Sequence, residues 1–198
     1  MHKEQQGFGD SAIATLNTNA TSAESLGVHG HYHVECRDKD GNLKWEDKFP
    51  NLVVAAGKQL LLDTLLKGSS YSVVGPFLGL TNASLTPAAT DTMSTLVPTY
   101  EFTNYTVGGS AVRGTAVFAS ATSSGTTPTN VTTSTAAAIT YTITGAGGTV
   151  YGCFLNIGGT SAQGNTTGTL YSEGNFSTAK VTTAGDTVSV TYSTTATS

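Results

Sequence analysis

The sequence predicts a mainly β protein: an antiparallel β-sandwich or jelly-roll-like domain with one α-helix after an N-terminal hairpin. Three observations carry that prediction. Past residue 70 the chain is a succession of short runs rich in Val, Thr, Ile, Tyr and Phe, separated by glycine-bearing turns, a composition suited to strands. Near the start, Asp40-Gly41 sits between two alternating runs, a strong hairpin signal. Between these regions lies a single segment with leucines at helical spacing. Many short strands with one early helix favour antiparallel layers.

Residues 1–27 show no sustained period and few large apolar side chains; by composition they form an extended arm. Residues 28–198 form one β-rich domain, beginning with a hairpin over 28–48. In its first run, "VHGHYHVEC", Val28, Tyr32, Val34 and Cys36 alternate with His29, His31, His33 and Glu35, so a strand would show apolar residues on one face and imidazoles on the other. In the second run Leu43, Trp45 and Asp47 share a face, and Trp45, the single tryptophan, anchors the hairpin to the core. The helix is predicted over about 55–67: Leu61, Leu62, Leu65 and Leu66 fall on one side, with Lys58, Asp63 and Lys67 elsewhere. Gly68 suits the residue just past the helix end. Burying the four leucines would contribute about 6–12 kcal/mol before conformational entropy is subtracted.

The sandwich itself is predicted over 71–194. Its strands are "VVGPFLGLT", "TYEFTNYTV", "AVRGTAVFASA", "AAAITYTITG", "TVYGCFLNIG", "GTLYSEGNF" and "DTVSVTYST". Glycines mark turns at 145–149 and 183–187. "TNASLTPAATDTMSTLVP" and "TSSGTTPTN" read as loops.

Charge narrows the function classes. Only 11% of the 198 residues are charged, and the formal net charge is -4, which argues against nucleic acid as a partner because phosphate binding needs clustered Lys and Arg. No stretch approaches the roughly 20 apolar residues of a membrane helix. The opening "MHKEQQGFGD" lacks an apolar secretory core, so the expectation is synthesis in a cytosol. Past Gly68 the chain carries six charged residues, Asp91, Glu101, Arg113, Glu173, Lys180 and Asp186. A Thr/Ser/Gly-rich surface this poor in charge suits a protein held in an assembly.

The expectation is that the chain has no catalytic, cofactor-binding or metal residues. Every histidine lies within the first 33 residues, and no G-x-S-x-G elbow or phosphate loop occurs. Asp91, Glu101, Glu173 and Asp186 stand in plain strand-edge or turn contexts, which gives no paired carboxylates for glycoside hydrolysis. Cys36 and Cys153 read as buried reduced thiols. Arg113 is expected to bridge to Glu101 or Asp91. Residues two apart on a strand are roughly 6.5–7 Å apart, so His29 and His33 are about 13 Å apart. One metal with ligand distances of about 2.0–2.1 Å cannot take all three histidines. His31 and His33 could bind with ligands from elsewhere, including a symmetry-related chain; the other reading is a solvated or interface strand face.

The order of these features resembles a family of small virion structural proteins of tailed bacteriophages. The residues that carry the resemblance are the D-x-D-G-x-x-x-W of Asp38 to Trp45, the N-x-V-x-x-x-G-x-x-x-L-L-D of Asn51 to Asp63, the P-A-A-x-D-T-M of Pro87 to Met93, and an ending with Gly168-Thr169-Leu170-Tyr171, Phe176 and Gly185-Asp186-Thr187. The resemblance covers about residues 28–193. It implies a virion component, non-enzymatic and without a cofactor, made in the host bacterial cytoplasm: foremost a capsid cement or decoration protein, homo-oligomeric, with the major capsid protein as partner. The alternatives are a tail-associated fibre or adaptor component, and a carbohydrate-binding module using Tyr71, Tyr100 and Tyr105.

Overall fold

The structure is a computed structural model that describes residues 27–67, 74–124, 127–131 and 138–197. The predicted arm, Gly68 and Tyr71 lie outside the described residues. Among these residues run twelve strands and two helices. They are β1 (Gly27–Arg37), β2 (Leu43–Val53), α1 (Ala55–Leu66), β3 (Phe77–Thr81), α2 (Met93–Tyr100), β4 (Glu101–Phe102), β5 (Tyr105–Thr106), β6 (Gly114–Thr115), β7 (Thr122–Ser124), β8 (Thr127–Val131), β9 (Ile139–Ile143), β10 (Gly148–Ile157), β11 (Thr169–Thr182) and β12 (Thr187–Thr197). Every pairing is antiparallel. The mainly antiparallel β class with a helix after the first hairpin is therefore what the chain adopts.

The hairpin forms where the alternation and the Asp-Gly pair place it. Asp38 Oδ1 accepts from the backbone N–H of Asp40 and of Asn42, both at 2.9 Å, which curls the chain between the strands. Gly41 has φ +86°, a left-handed conformation that costs glycine nothing. The alternation then aims Tyr32, Val34 and Cys36 into the core and His29 and His31 outward.

The sheet runs β4-β3-β10-β11-β2-β1-β12-β8-β7, with β9 also on β12, β5 on β9 and β6 on β3. β2 belongs to both layers: Trp45 to Asn51 pair with β1, and Leu52 and Val53 pair with β11. The layer β5-β9-β12-β1-β2 thus folds over the layer β2-β11-β10-β3. The opposite edges approach each other where Tyr141 on β9 donates from its hydroxyl to the Leu78 carbonyl on β3, at 2.7 Å, so the sheet is sandwich-like and nearly closed. Between the layers lies the main core, from Tyr32, Val34 and Phe49 to Leu80, Leu155, Val188 and Tyr192. Tyr32 stands at its centre, 5.3 Å from the Phe49 ring and 4.8 Å from the Tyr192 ring, centroid to centroid. Trp45 anchors the hairpin as expected: it meets the Phe176 ring edge-on at 5.6 Å and donates to the Val181 carbonyl at 3.2 Å.

A second, smaller core lies on the outer side of β10 and β11, where Phe154 and Leu170 meet Val54, Leu85, Met93, Leu96 and Val97. The last three belong to α2, which corrects the reading of "TDTMSTLVP" as loop. Thr92 begins that helix with a reciprocal capping box to Thr95, which satisfies two otherwise orphaned N–H groups. The other predicted loop, "TSSGTTPTN", contains β7 and β8, and β8 continues the sheet beside β12. The predicted strands over residues 99–107 and 111–121 shorten to the two-residue β4, β5 and β6.

The larger correction concerns α1. The helix occupies 55–66 as predicted, but its leucines are not core: Leu61, Leu62, Leu65 and Leu66 are 41%, 49%, 79% and 75% exposed. Its one buried residue is Gly57, where a Cβ would lie 2.5 Å from the Tyr171 carbonyl oxygen. The glycine lets the first turn sit directly on the β11 backbone. The Val54 N–H donates to Tyr171 O at 3.1 Å, and the Ala55 N–H donates to Ala89 O at 2.9 Å. α1 is thus fastened at its N-terminal end, and its leucine-bearing turns stand clear of both cores.

Candidate functional site

The histidine strand builds a polar outer face. Register sets His33 opposite Lys48 and Thr191, and Glu35 opposite Glu46 and Ser189. His33 Nε2 lies 2.8 Å from Glu46 Oε1 and 3.8 Å from Glu35 Oε1. One donor atom from each of His33, Glu35 and Glu46 falls within 4.8 Å of the others. His29 and His31 are outside this group, in keeping with the strand spacing. The ligand missing from the sequence reading is Glu46, delivered by the neighbouring strand. One imidazole with two carboxylates is a donor set that suits zinc or a related ion. Its charges are already balanced, however: Lys48 reaches Glu46 at 3.2 Å and Arg37 reaches Glu35 at 3.4 Å. Hydrogen bonds from Lys48 and then His33 hold the Glu46 carboxyl below its ordinary range.

The acids past the helix are not in plain contexts, and this corrects the sequence reading. Glu101 is buried against Arg113: Nε donates to Oε1 at 2.7 Å and Nη2 to Oε2 at 2.9 Å. Of the two partners expected for Arg113, the fold selects Glu101. Arg113 Nη2 also donates to Asn165 O at 2.8 Å, and the Gly164 N–H donates to Glu101 Oε2 at 2.7 Å. The guanidinium carbon lies 5.2 Å from the Phe154 ring centroid. Asp186 is buried beside Lys44, 2.5 Å away, and Asp47 beside Lys180, 3.0 Å away. Burial alone would raise both carboxyls; the ammonium groups, with Thr183 and Ser177 respectively, outweigh it and lower them. These three pairs are cross-links of the fold.

Glu173 differs from them. It sits on β11, 1% exposed, beside a cavity of about 290 Å³ lined also by Leu85, Thr86, Asp91, Thr99 and Tyr100. Its neighbour is another acid, Asp91, within hydrogen-bond reach. Desolvation first, and then Asp91, push the Glu173 carboxyl up to about 8. The two residues are brought together by the 82–92 segment folding back on β11. The Leu85 N–H donates to Asn175 Oδ1, and Asn175 Nδ2 donates to Leu85 O, each at 2.9 Å. Sequence reasoning missed this pair because nothing local announces it.

Both cysteines are free and buried, as expected; burial, with Asp186 nearby, pushes the Cys36 thiol up to about 12, so it is unreactive. Tyr105 is 1% exposed and Tyr100 packs on the smaller core, so neither offers an open stacking platform.

The remaining feature is apolar. Leu61 forms one wall of a cleft of about 560 Å³ whose other apolar lining includes Pro76, Val117, Phe118, Leu155 and Tyr192. Leu62, Leu65 and Leu66 on the same helix are exposed as well, and so are Val74 at 48% and Val117 at 59%. Several large apolar side chains left exposed on one helix suit an interaction face. No protein-family model, curated protein or solved structure matches the chain.

Proposed function

We propose that this chain is a structural component of a bacteriophage virion, and in the first place a cement or decoration protein that docks on the outer shell of the head. The observation that carries the reading is the leucine face of α1. Four leucines at helical spacing are left in solvent by a helix fastened only at its other end. A free monomer gains little from such a face, whereas a protein held between neighbours can bury it. The charge-poor, Thr- and Ser-rich sheet surface suits the same setting, and the ordered series of sequence motifs resembling virion structural proteins supports it. Repeated small contacts over a large shell supply avidity without a catalytic centre.

The test is to purify the particles from an infected host, measure the copy number of this chain against the major capsid protein by gel densitometry, and locate it by cryo-electron microscopy. Many copies on the head surface support the reading. A few copies at the tail place the chain as a fibre or adaptor component. Absence from the particle overturns both.

A further inference from the structure

Five charged side chains are buried among the described residues: Asp47, Glu101, Arg113, Glu173 and Asp186. Asp47, Glu101 and Asp186 each have a Lys or Arg within 3.0 Å. Glu173 meets Asp91 instead, and neither forms an ion pair among the described residues. Two carboxyl groups this close, one of them fully buried, need a positive particle between or beside them. A proton is one such particle. The surroundings offer room for another.

Glu173 Oε1 is buried without a hydrogen-bond partner among the described residues. The cavity beside it is lined also by Leu85, Thr86, Thr95, Leu96, Thr99 and Tyr100, whose polar side-chain atoms are all oxygens. Asp91 stands at the half-exposed side, which gives an ion a way in. Asp91 Oδ2 is oriented by the Ala88 N–H at 2.8 Å, so one carboxylate is held in place before any ligand arrives. The histidine cluster on the outer strand face lacks this demand, because Lys48 and Arg37 already neutralise it.

We propose that the cavity between Glu173 and Asp91 binds a hard divalent cation, calcium or magnesium, and that the ion fastens the 82–92 segment and α2 to β11. Two carboxylates, hydroxyl oxygens and water supply the all-oxygen shell that such ions take. Nitrogen and sulfur ligands are absent from the cavity lining, which sets zinc and copper aside. This inference is independent of the virion reading, since it concerns a site on the opposite side of the sheet from the main core and requires no partner.

The test uses the full-length chain, freed of metal by a chelator and melted at about pH 5 and about pH 8, with and without millimolar calcium or magnesium chloride. Without metal, the melting temperature falls between the two pH values as the buried Glu173 carboxyl loses its proton. At the higher pH, an ion present at about 100 times its dissociation constant raises the melting temperature by roughly 5–10 °C. At the lower pH the proton competes and the rise shrinks. Glu173→Gln and Asp91→Asn each abolish the response to metal, and Glu173→Gln also removes the fall with pH. If Glu173→Gln does not fold, Asp91→Asn and calorimetric titration of the wild type with calcium chloride, expected at one ion per chain, carry the test. A wild-type protein whose melting ignores both ions at about pH 8 overturns the proposal. So does an undiminished response in both variants, which would place the ion elsewhere, as at His33, Glu35 and Glu46.

Discussion

Removing the Arg113 side chain would leave Glu101 buried with, among the described residues, only the Gly164 N–H on its carboxylate. Breaking a buried pair from one side typically costs about 3–5 kcal/mol, whereas replacing both members with apolar side chains is often near neutral. Arg113→Met is therefore expected to lower the melting temperature by roughly 10 °C or more, and the double variant Glu101→Leu/Arg113→Met to recover most of the loss; a thermal double-mutant cycle measures both. Glu173 makes the opposite kind of prediction. Its carboxyl rises from an ordinary 4.5 to about 8 in the folded state, so between those values the native chain holds a proton that the unfolded chain releases. Stability from this group is complete below about pH 4.5, declines through the window up to about 8, and is flat above it. Asp47 and Asp186 are lowered, so their contribution is present at neutral pH and is lost as pH falls below the ordinary aspartate range. The metal-free protein should accordingly be most stable near pH 4–5, and Glu173→Gln should flatten the neutral limb in a pH series of denaturant midpoints.

At the scale of elements, α1 separates two functions that its sequence superimposes. Gly57→Ala puts a methyl group 2.5 Å from the Tyr171 carbonyl oxygen and 2.9 Å from the Tyr171 Cα. Both are backbone atoms, so the helix must lift, at a cost of about 1–3 kcal/mol, readable as a lower urea midpoint. Leu65→Glu with Leu66→Glu alters only exposed positions and should leave the melting temperature within about 2 °C. If the chain docks on a virion shell as proposed, the same double variant should bind it less, which co-sedimentation with bare shells would report. The helix itself was legible because leucines at i, i+1, i+4 and i+5 share a face whatever covers them. What covers them was not, since spacing shows a common side and carries no information about the neighbour. The hairpin was legible for a similar local reason, the Asp40-Gly41 pair and strict alternation. α2 was hidden because it is eight residues long, rich in Thr and interrupted by Pro98, and it owes its stability to Met93, Leu96 and Val97 packing on Phe154 and Leu170. Asp91 and Glu173 were visible only as separate acids, because the chain between them must fold before they meet.

The whole molecule is held by pairings between distant parts of the chain, above all β1 with β12 and β3 with β10. Folding dominated by such contacts is slow, in the millisecond-to-second range or longer, and a stopped-flow refolding measurement should find it there. The last of the described strands, β12, lies inside the sheet with β1 on one side and β8 and β9 on the other, so deletion of residues 187–198 should yield a chain without cooperative unfolding. The pairing of Gly27 with Thr197, and of every residue onward to Arg37 with Thr187, also fixes how the molecule bears load. A tension applied between residues 27 and 197 acts across the ladder and opens it one bonded pair at a time, like a zipper pulled from its free end. Tension between residue 27 and residue 187, at opposite ends of the paired strands, runs along them, and all the bonds between β1 and β12 resist together. On the proposed virion reading, a shell under internal pressure would be served best by an attachment that pulls along β1, from its Gly27 end, against contacts elsewhere on the domain.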